Sequence, residues 1–403
     1  MDPPLTPIAA PRDIGQALAA AARADIAPFI VMDVMRAAAE REAAGATVIH
    51  MEVGQPATPA PKAARQRVAA ALETDTLGYT LALGLPELRA RISGLYKTWY
   101  GLDVDPGRIV VTSGSSAAFV LAFLALFDVG ATVALPSPGY PCYRHILTAL
   151  GVKSHLLETT AEHRWMPTTA QVRQASIDHD LSGLLLASPN NPTGTMLTPE
   201  RLAGIAAMCQ SRGMWFISDE IYHGLTWGIE QDTALRHSPD AIVINSFSKY
   251  FSMTGWRVGW MVLPERLVRT VERLAQNLYI APPTVAQVAA LGAFDGIEEL
   301  ESNRRVYAAN RELLLEGLPK AGLDKIVPAD GAFYLYVDVG AFTSDSLAFT
   351  KLMLDEAGVA ATPGLDFDPA RGGRFVRFSY AGSTAEMAEA VQRLQAWPRL
   401  KRG

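Results

Sequence analysis

The sequence is short of the residues that staple a small fold together. Cysteine occurs only at Cys142 and Cys209 in 403 residues. That rules out a disulfide framework or a thiolate metal cage, and it points to a reducing compartment, the cytoplasm. Charge of one sign is missing too. Thirty-six basic side chains against 41 acidic ones leave a net charge of −5, which supplies no electrostatic footprint for nucleic acid or an anionic membrane surface. Long apolar runs are absent as well. The charge-free stretches 111–127 and 277–294 are interrupted by hydroxyl residues and Gly114 in the first, and by Pro282, Pro283 and Gln287 in the second. Both fall short of the roughly 20 predominantly apolar residues of a membrane span. The N-terminus opens on Asp2, Pro3 and Pro4, without the basic and apolar regions of a secretion signal. No internal repeat and no low-complexity linker interrupts the chain.

What is present is apolar bulk: 49% hydrophobic against 19% charged, the balance of a folded chain with a sizeable core. At about 150 residues per domain, two domains are expected. From about 60 to 290, short apolar runs alternate with helical segments. Runs at 108–112, 131–135, 184–187, 215–218 and 241–245 read as strands, with helices at 115–126 and from the Thr198-Pro199-Glu200 cap signal. This is the pattern of an α/β, three-layer fold with a mostly parallel sheet covered on both faces. After about 295 the pattern changes. Helices near 298–315, 346–356 and 384–397 enclose strands near 332–337 and 375–379, as in a smaller α+β domain. The expected organisation is an N-terminal segment 1–50 packing on the small domain, a large domain 51–294 and a small C-terminal domain 295–403.

Ligands of an open α/β sheet collect beyond the C-terminal strand ends. Those ends carry Ser113-Gly114-Ser115-Ser116, Pro189-Asn190-Asn191, Asp219 and Ser246-Phe247-Ser248-Lys249, each directly after its apolar run. Lys249 is one of only eight lysines. An amine there can act as a nucleophile or a carbonyl partner, although a solvated lysine in a surface turn would read the same. Ser246, Ser248 and Arg257 could surround a phosphate. Gly114, Ser115 and Ser116 open a helix whose free N–H groups favour an anion, or form an ordinary helix cap. The segment is neither a Walker A motif nor a GxGxxG fingerprint. Asp219 at a buried strand end needs a partner, whether a ligand cation, a salt bridge or a helix cap. Asn191 sits in an Asn-Pro-Thr-Gly turn that needs no chemistry of its own. Tyr140 and Tyr143 read equally well as core aromatics. Arg377, in an apolar strand, needs an anion that an internal carboxylate could also supply.

Taken in order, Ser-Pro-Asn-Asn191-Pro-Thr-Gly, Ser-Asp219-Glu-Ile-Tyr222 and Ser246-Phe-Ser-Lys249 followed by Arg257 resemble the signature of the class I/II pyridoxal-phosphate aminotransferases, fold type I. The resemblance spans nearly the whole chain. It implies pyridoxal 5'-phosphate as cofactor and a ping-pong exchange of the amino group between an L-amino acid and a 2-oxo acid. It also implies that Lys249 carries the cofactor and shuttles the proton, and that Asp219 holds the ring nitrogen protonated. Asn191 and Tyr222 would bond the ring's phenolic oxygen, with Tyr140 stacked on its face. Ser115, Ser116, Ser246, Ser248 and Arg257, beside Gly114, would cradle the phosphate. Leu77-Gly-Tyr79-Thr resembles the motif whose tyrosine reaches the phosphate of a neighbouring subunit, which implies a homodimer with shared active sites. Arg377 matches the arginine that takes the substrate α-carboxylate, and Gly54 in Val53-Gly-Gln-Pro56 matches the backbone beside it.

Phe29, Ile30, Tyr222, Leu225, Trp227 and Tyr279 are expected near the mouth, with no second arginine assignable there. That favours an apolar or aromatic donor over aspartate, and 28–30 is expected to act as a lid. Two other readings share the cofactor site: a β-lyase that expels a thiol from the same carbanion, and a non-enzymatic ligand-sensing domain. The second would be expected with a basic DNA-binding domain in front, which residues 1–50 do not resemble.

Overall fold

A computed structural model describes residues 19–401; the first 18 residues of the expected N-terminal segment lie outside that range. Helix Ile30–Ala43 leads to the short strand β1 (Ile49–His50). Seven strands then build the main sheet: β2 (Ile109–Thr112), β3 (Thr132–Ser137), β4 (Lys153–Glu158), β5 (Gly183–Ala187), β6 (Trp215–Asp219), β7 (Ile242–Ser246) and β8 (Gly259–Val262). Their order is β2-β8-β7-β6-β5-β3-β4. All run parallel except β8, which is antiparallel to both of its neighbours. The expected three-layer α/β architecture is therefore the observed one.

Apart from β4, the strands are largely apolar without alternation because both faces are covered. Ile109, Val111, Leu184, Leu186, Phe216, Val243, Trp260 and Val262 enter the core on one face. Their neighbours Val110, Leu185, Ile217, Ile242, Ile244 and Met261 enter a second core on the other. Helix Gly114–Leu126 buries most of its residues against this second core and has no polar stripe. Two strands of this seven-stranded sheet have no counterpart in the sequence reading, β4 and β8. β4 carries Lys153, Ser154, His155 and Glu158 at the sheet edge, where one flank faces solvent and an apolar run is not required. β8 follows Arg257 so closely that its four residues merge with the polar segment before it.

Past residue 295, helix Ile297–Lys320 leads to β9 (Tyr334–Asp338), β10 (Val359–Ala360), β11 (Thr362–Pro363) and β12 (Phe375–Ser379), closed by helix Thr384–Ala396. β9, β11 and β12 form an antiparallel sheet with β12 in the middle. The helix expected over 346–356 ends as α-helix at Leu352 and continues as a wider turn, Met353–Ala357. β1 pairs with β10, and helix Ile30–Ala43 packs Val34, Ala37 and Ala38 on Leu354 and Ala360. Among the described residues no helix is long and apolar enough to cross a membrane.

Candidate active site

The topology brings one edge of the main sheet to a focus. The C-terminal ends of β2, β5, β6 and β7 deliver Gly114, Asn191, Asp219 and Lys249. Because β8 runs the other way, its first residue, Gly259, pairs with Thr112 and Ser246 at that same edge. The reversed strand therefore carries Arg257 to the place where the serines are. Two glycines permit the close approach. Gly114 has φ +78°, and a Cβ on it would lie 2.3 Å from Nη2 of Arg257. A Cβ on Gly259 would lie 3.0 Å from the amide nitrogen of Ser115.

A cavity of about 210 Å³ opens at this edge, lined by Ser115, Ser116, Ser248, Lys249 and Arg257. Gly54, Tyr140, Asn191, Asp219, Tyr222 and Arg377 line it too. Gly114 and Ser246 stand behind this lining. Ser246 Oγ donates to Ser248 Oγ at 2.9 Å and to the Val258 carbonyl. Tyr79 is the one expected site residue that this chain does not bring to the cavity; it is 85% exposed.

Lys249 lies at the cavity floor and donates from Nζ to the Gly54 carbonyl at 2.5 Å. Burial pushes its pKa down to about 7, with the Arg377 and Arg257 cations adding to the effect and Asp219 opposing it. Asp219 is buried and accepts from the Tyr143 hydroxyl and from the Ile221 amide at 3.1 Å. Burial lifts it to about 6 against those bonds. No cation lies within 4.0 Å of it among the described residues, so an internal salt bridge does not explain this carboxylate. Arg377 answers the same way. Its guanidinium donates to Asn191 Oδ1 at 2.8 Å, Thr362 Oγ1 at 3.1 Å and the Glu52 carbonyl, and Nε is buried without a partner. The rings of Tyr334 and Phe367 lie 4.4 and 4.7 Å from its central carbon. A buried cation held by neutral groups alone is costly, and an anion arriving from the cavity would relieve it.

The neighbouring carboxylate, Glu220, takes no part. It points into a separate buried cage, accepting from Ser218, Thr233 and the Ala234 amide, and burial lifts it to about 8. Tyr143 and Tyr334 were not assigned to the site by sequence. Tyr143 lies three residues after Tyr140 on helix Pro141–Ala149, a spacing that sets both rings against each other, 5.2 Å between centroids. Tyr334 bonds the Tyr222 hydroxyl at 2.7 Å, and no motif in the sequence marks it. The expected mouth needs correction. Leu225 is core, Trp227 is turned to the Ala332 carbonyl and the Tyr380 hydroxyl, and Tyr279 lines a different hollow. Ile30 does not line the cavity either. The apolar lining is Phe29, Val31, Met32, Val53, Phe119 and Ile221, brought there by contacts distant in sequence.

A half-neutral amine, a buried carboxylate without a cation, a serine-rich helix start beside an arginine, and a second arginine without a carboxylate therefore meet at one cavity. Comparison with known proteins gives that arrangement its family. The profile of "Aminotransferase class I and II" matches residues 46–394. The valine–pyruvate aminotransferase of Mycobacterium tuberculosis is 49% identical over 381 residues, covering 94% of this chain and 98% of that protein. The crystal structure of an aminotransferase from the same organism superposes with a TM-score of 0.92 at 48% identity, covering 94% and 99% of the two chains. The aspartate aminotransferase of Thermus thermophilus with maleate superposes at 0.89 with 30% identity, covering 94% and 100%. The chain belongs to the class I and II pyridoxal-phosphate-dependent aminotransferases, fold type I, and is a transaminase.

Proposed function

We propose that this enzyme moves the amino group of an apolar L-amino acid, valine being the first candidate, to a 2-oxo acid such as pyruvate. The proposal places pyridoxal 5'-phosphate in the cavity around Lys249 and makes the enzyme a homodimer. The observation that carries it is Arg377: buried, without a carboxylate partner, and facing a cavity whose lining includes Phe29, Val31, Met32 and Val53 but no further cation apart from Lys249 and Arg257. The only other arginine of this chain in the lining is Arg257, which belongs with the serines. A side-chain carboxylate on the substrate would find no guanidinium from this chain. The relative named valine–pyruvate aminotransferase, at 49% identity, supports the same donor class.

The residues present fit the cofactor. Gly114 leaves the room beside Arg257 that a Cβ would fill, and Ser115, Ser116, Ser248 and Arg257 offer donors to a phosphate dianion. Asp219, without a cation of its own, suits a protonated ring nitrogen. Asn191 and Tyr222 are donors for the ring oxygen, and Tyr140 is held edge-on by Phe29 and Tyr143 as a platform for the ring. When bound, the cofactor supplies the aldehyde that receives the amino group and a cationic ring that draws electron density from Cα.

The chain's own residues do the rest. A lysine with pKa near 7 is part neutral at neutral pH, so it can both accept a proton from Cα and return one. Arg377 fixes the α-carboxylate, and with it the direction of the Cα–H bond. Such orientation is worth several kcal/mol, on the order of 7–11 in the best intramolecular cases. The Gly54 carbonyl, already bonded to the amine, steers its lone pair. Tyr79 and its exposed neighbours Leu72 and Leu81 are offered to a second copy, through which Tyr79 would reach the partner's phosphate site.

The test is turnover of single L-amino acids with pyruvate as acceptor, following both the 2-oxo acid formed and ammonia. Valine and other apolar donors are expected to exceed aspartate and glutamate in kcat/KM by roughly 10²-fold or more. A preference for aspartate overturns the donor class, and stoichiometric ammonia from a cysteine conjugate overturns transfer in favour of elimination.

A further inference from the structure

Helix Ile30–Ala43 starts without a cap of its own: Phe29 precedes it and offers no side-chain acceptor. Its first amides are satisfied from the far end of the chain. Ile30 N–H donates to Oδ1 of Asp366 at 3.2 Å, and Val31 N–H donates to Oδ2 at 3.3 Å. Asp366 is 1% exposed and closes the single turn Gly364–Asp366 after β11. Its carbonyl is held by Arg144 at 2.6 Å. The charges that face its carboxylate are those of Arg377 and Arg144. Phe29, Val31 and Met32, the residues around this anchored start, line the cavity, and Phe29 meets Tyr140 edge-on at 5.8 Å.

We propose that Asp366 is a specificity-determining positioning residue, pinning the first turn of helix Ile30–Ala43 as the apolar wall of the substrate pocket. The inference rests on the reading of the cavity as a site for apolar amino acids and gives that preference a structural cause. Both Asp366 oxygens are taken by amides on the same helix end, so the carboxylate is fixed where the helix dipole favours it. An apolar substrate side chain against Phe29, Val31 and Met32 gains burial. A carboxylate set against those three side chains loses its hydration without a partner in return.

Steady-state kinetics with valine and glutamate, for wild type, Asp366→Ala and Asp366→Asn loaded with cofactor, test this. Asp366→Ala is expected to raise KM for valine about tenfold with kcat changed less than about threefold, because the pocket wall and not the reacting centre is loosened. The valine-to-glutamate ratio of kcat/KM should fall about tenfold in Asp366→Ala and less in Asp366→Asn. Asp366→Asn keeps one acceptor but turns its NH2 toward the other amide, so its KM for valine should lie between wild type and Asp366→Ala. A merely structural role would lower cofactor occupancy or active fraction and leave that ratio unmoved. An unchanged ratio in Asp366→Ala at full cofactor occupancy overturns the inference. A wild type that prefers glutamate overturns the donor class instead.

Discussion

Arg257 and Arg377 line one cavity and are built in opposite ways. Arg257 is exposed, sits at φ 55° just before the antiparallel β8, and donates to the Thr254 carbonyl at 3.0 Å. Arg377 is 2% exposed in the middle of β12, bonded to residues from three other segments and flanked by two aromatic rings. The first is a local device: a turn and a short strand suffice to aim it. The second is tertiary, since Glu52, Asn191 and Thr362 meet only when both sheets are assembled. Under the proposed function the two have separable roles, phosphate capture for Arg257 and substrate carboxylate capture for Arg377.

The largest expected effect serves as reference for both. Lys249→Ala should lower turnover by roughly 10³-fold or more, since nucleophile and proton carrier vanish together. The loaded protein should still retain cofactor by equilibrium dialysis. Next, Arg377→Lys should lower kcat/KM about 10²-fold for every amino acid, because a point charge replaces a bidentate fork, with cofactor affinity nearly unchanged. Arg257→Ala should do the converse, weakening cofactor binding about tenfold or more by fluorescence titration and leaving KM for the donor within about threefold. If either variant moved both quantities alike, the separation would fail.

A finer probe is Gly114→Ala. The added methyl must displace the Arg257 guanidinium and adopt φ +78°, at about 1–2 kcal/mol. Denaturant unfolding should register that cost, and cofactor affinity should fall with it.

The smallest effect lies beside Arg377. Glu52, whose carbonyl holds Arg377, bonds His50 through its side chain at 2.9 Å. That bond, followed by the Glu52 and Glu42 charges, raises the His50 pKa to about 9 against the penalty of burial. Since the folded pKa exceeds the unfolded one, the stabilisation is full below about pH 6.5 and is lost as pH rises through about 9. His50 is substantially exposed, so solvent screening leaves about 1 kcal/mol. Thermal midpoints of His50→Gln and wild type should therefore converge toward pH 9.5 and differ most near pH 6.

Much of this site could be read before folding. Lys249, Asp219, Asn191 and Gly114 each follow an apolar run directly, and a buried parallel strand leaves that signature because it is apolar on both faces. β4 escaped because an edge strand keeps polar side chains. β8 escaped because four residues after a polar turn carry too little periodicity to register. The apolar pocket wall was misread in part: Leu225 and Trp227 follow Tyr222 closely in sequence, yet their side chains turn into the core and toward Ala332. Residues that replace them, Val31 and Met32, belong to a helix turn whose Ile30 and Val31 amides bond Asp366, at least 335 positions away.

Strand ends, turn chemistry and the lysine-centred motif are local properties, written in contiguous residues, and for that reason the sequence alone determined the α/β class, the family and most of the residues gathered at the C-terminal edge of the sheet. Which arginine lacks a carboxylate, which tyrosine supports Asp219, and what the substrate's side chain meets are differences between competing contacts. Those contacts join segments hundreds of residues apart, as Ile30 and Asp366 do, so only the packed tertiary structure could decide them.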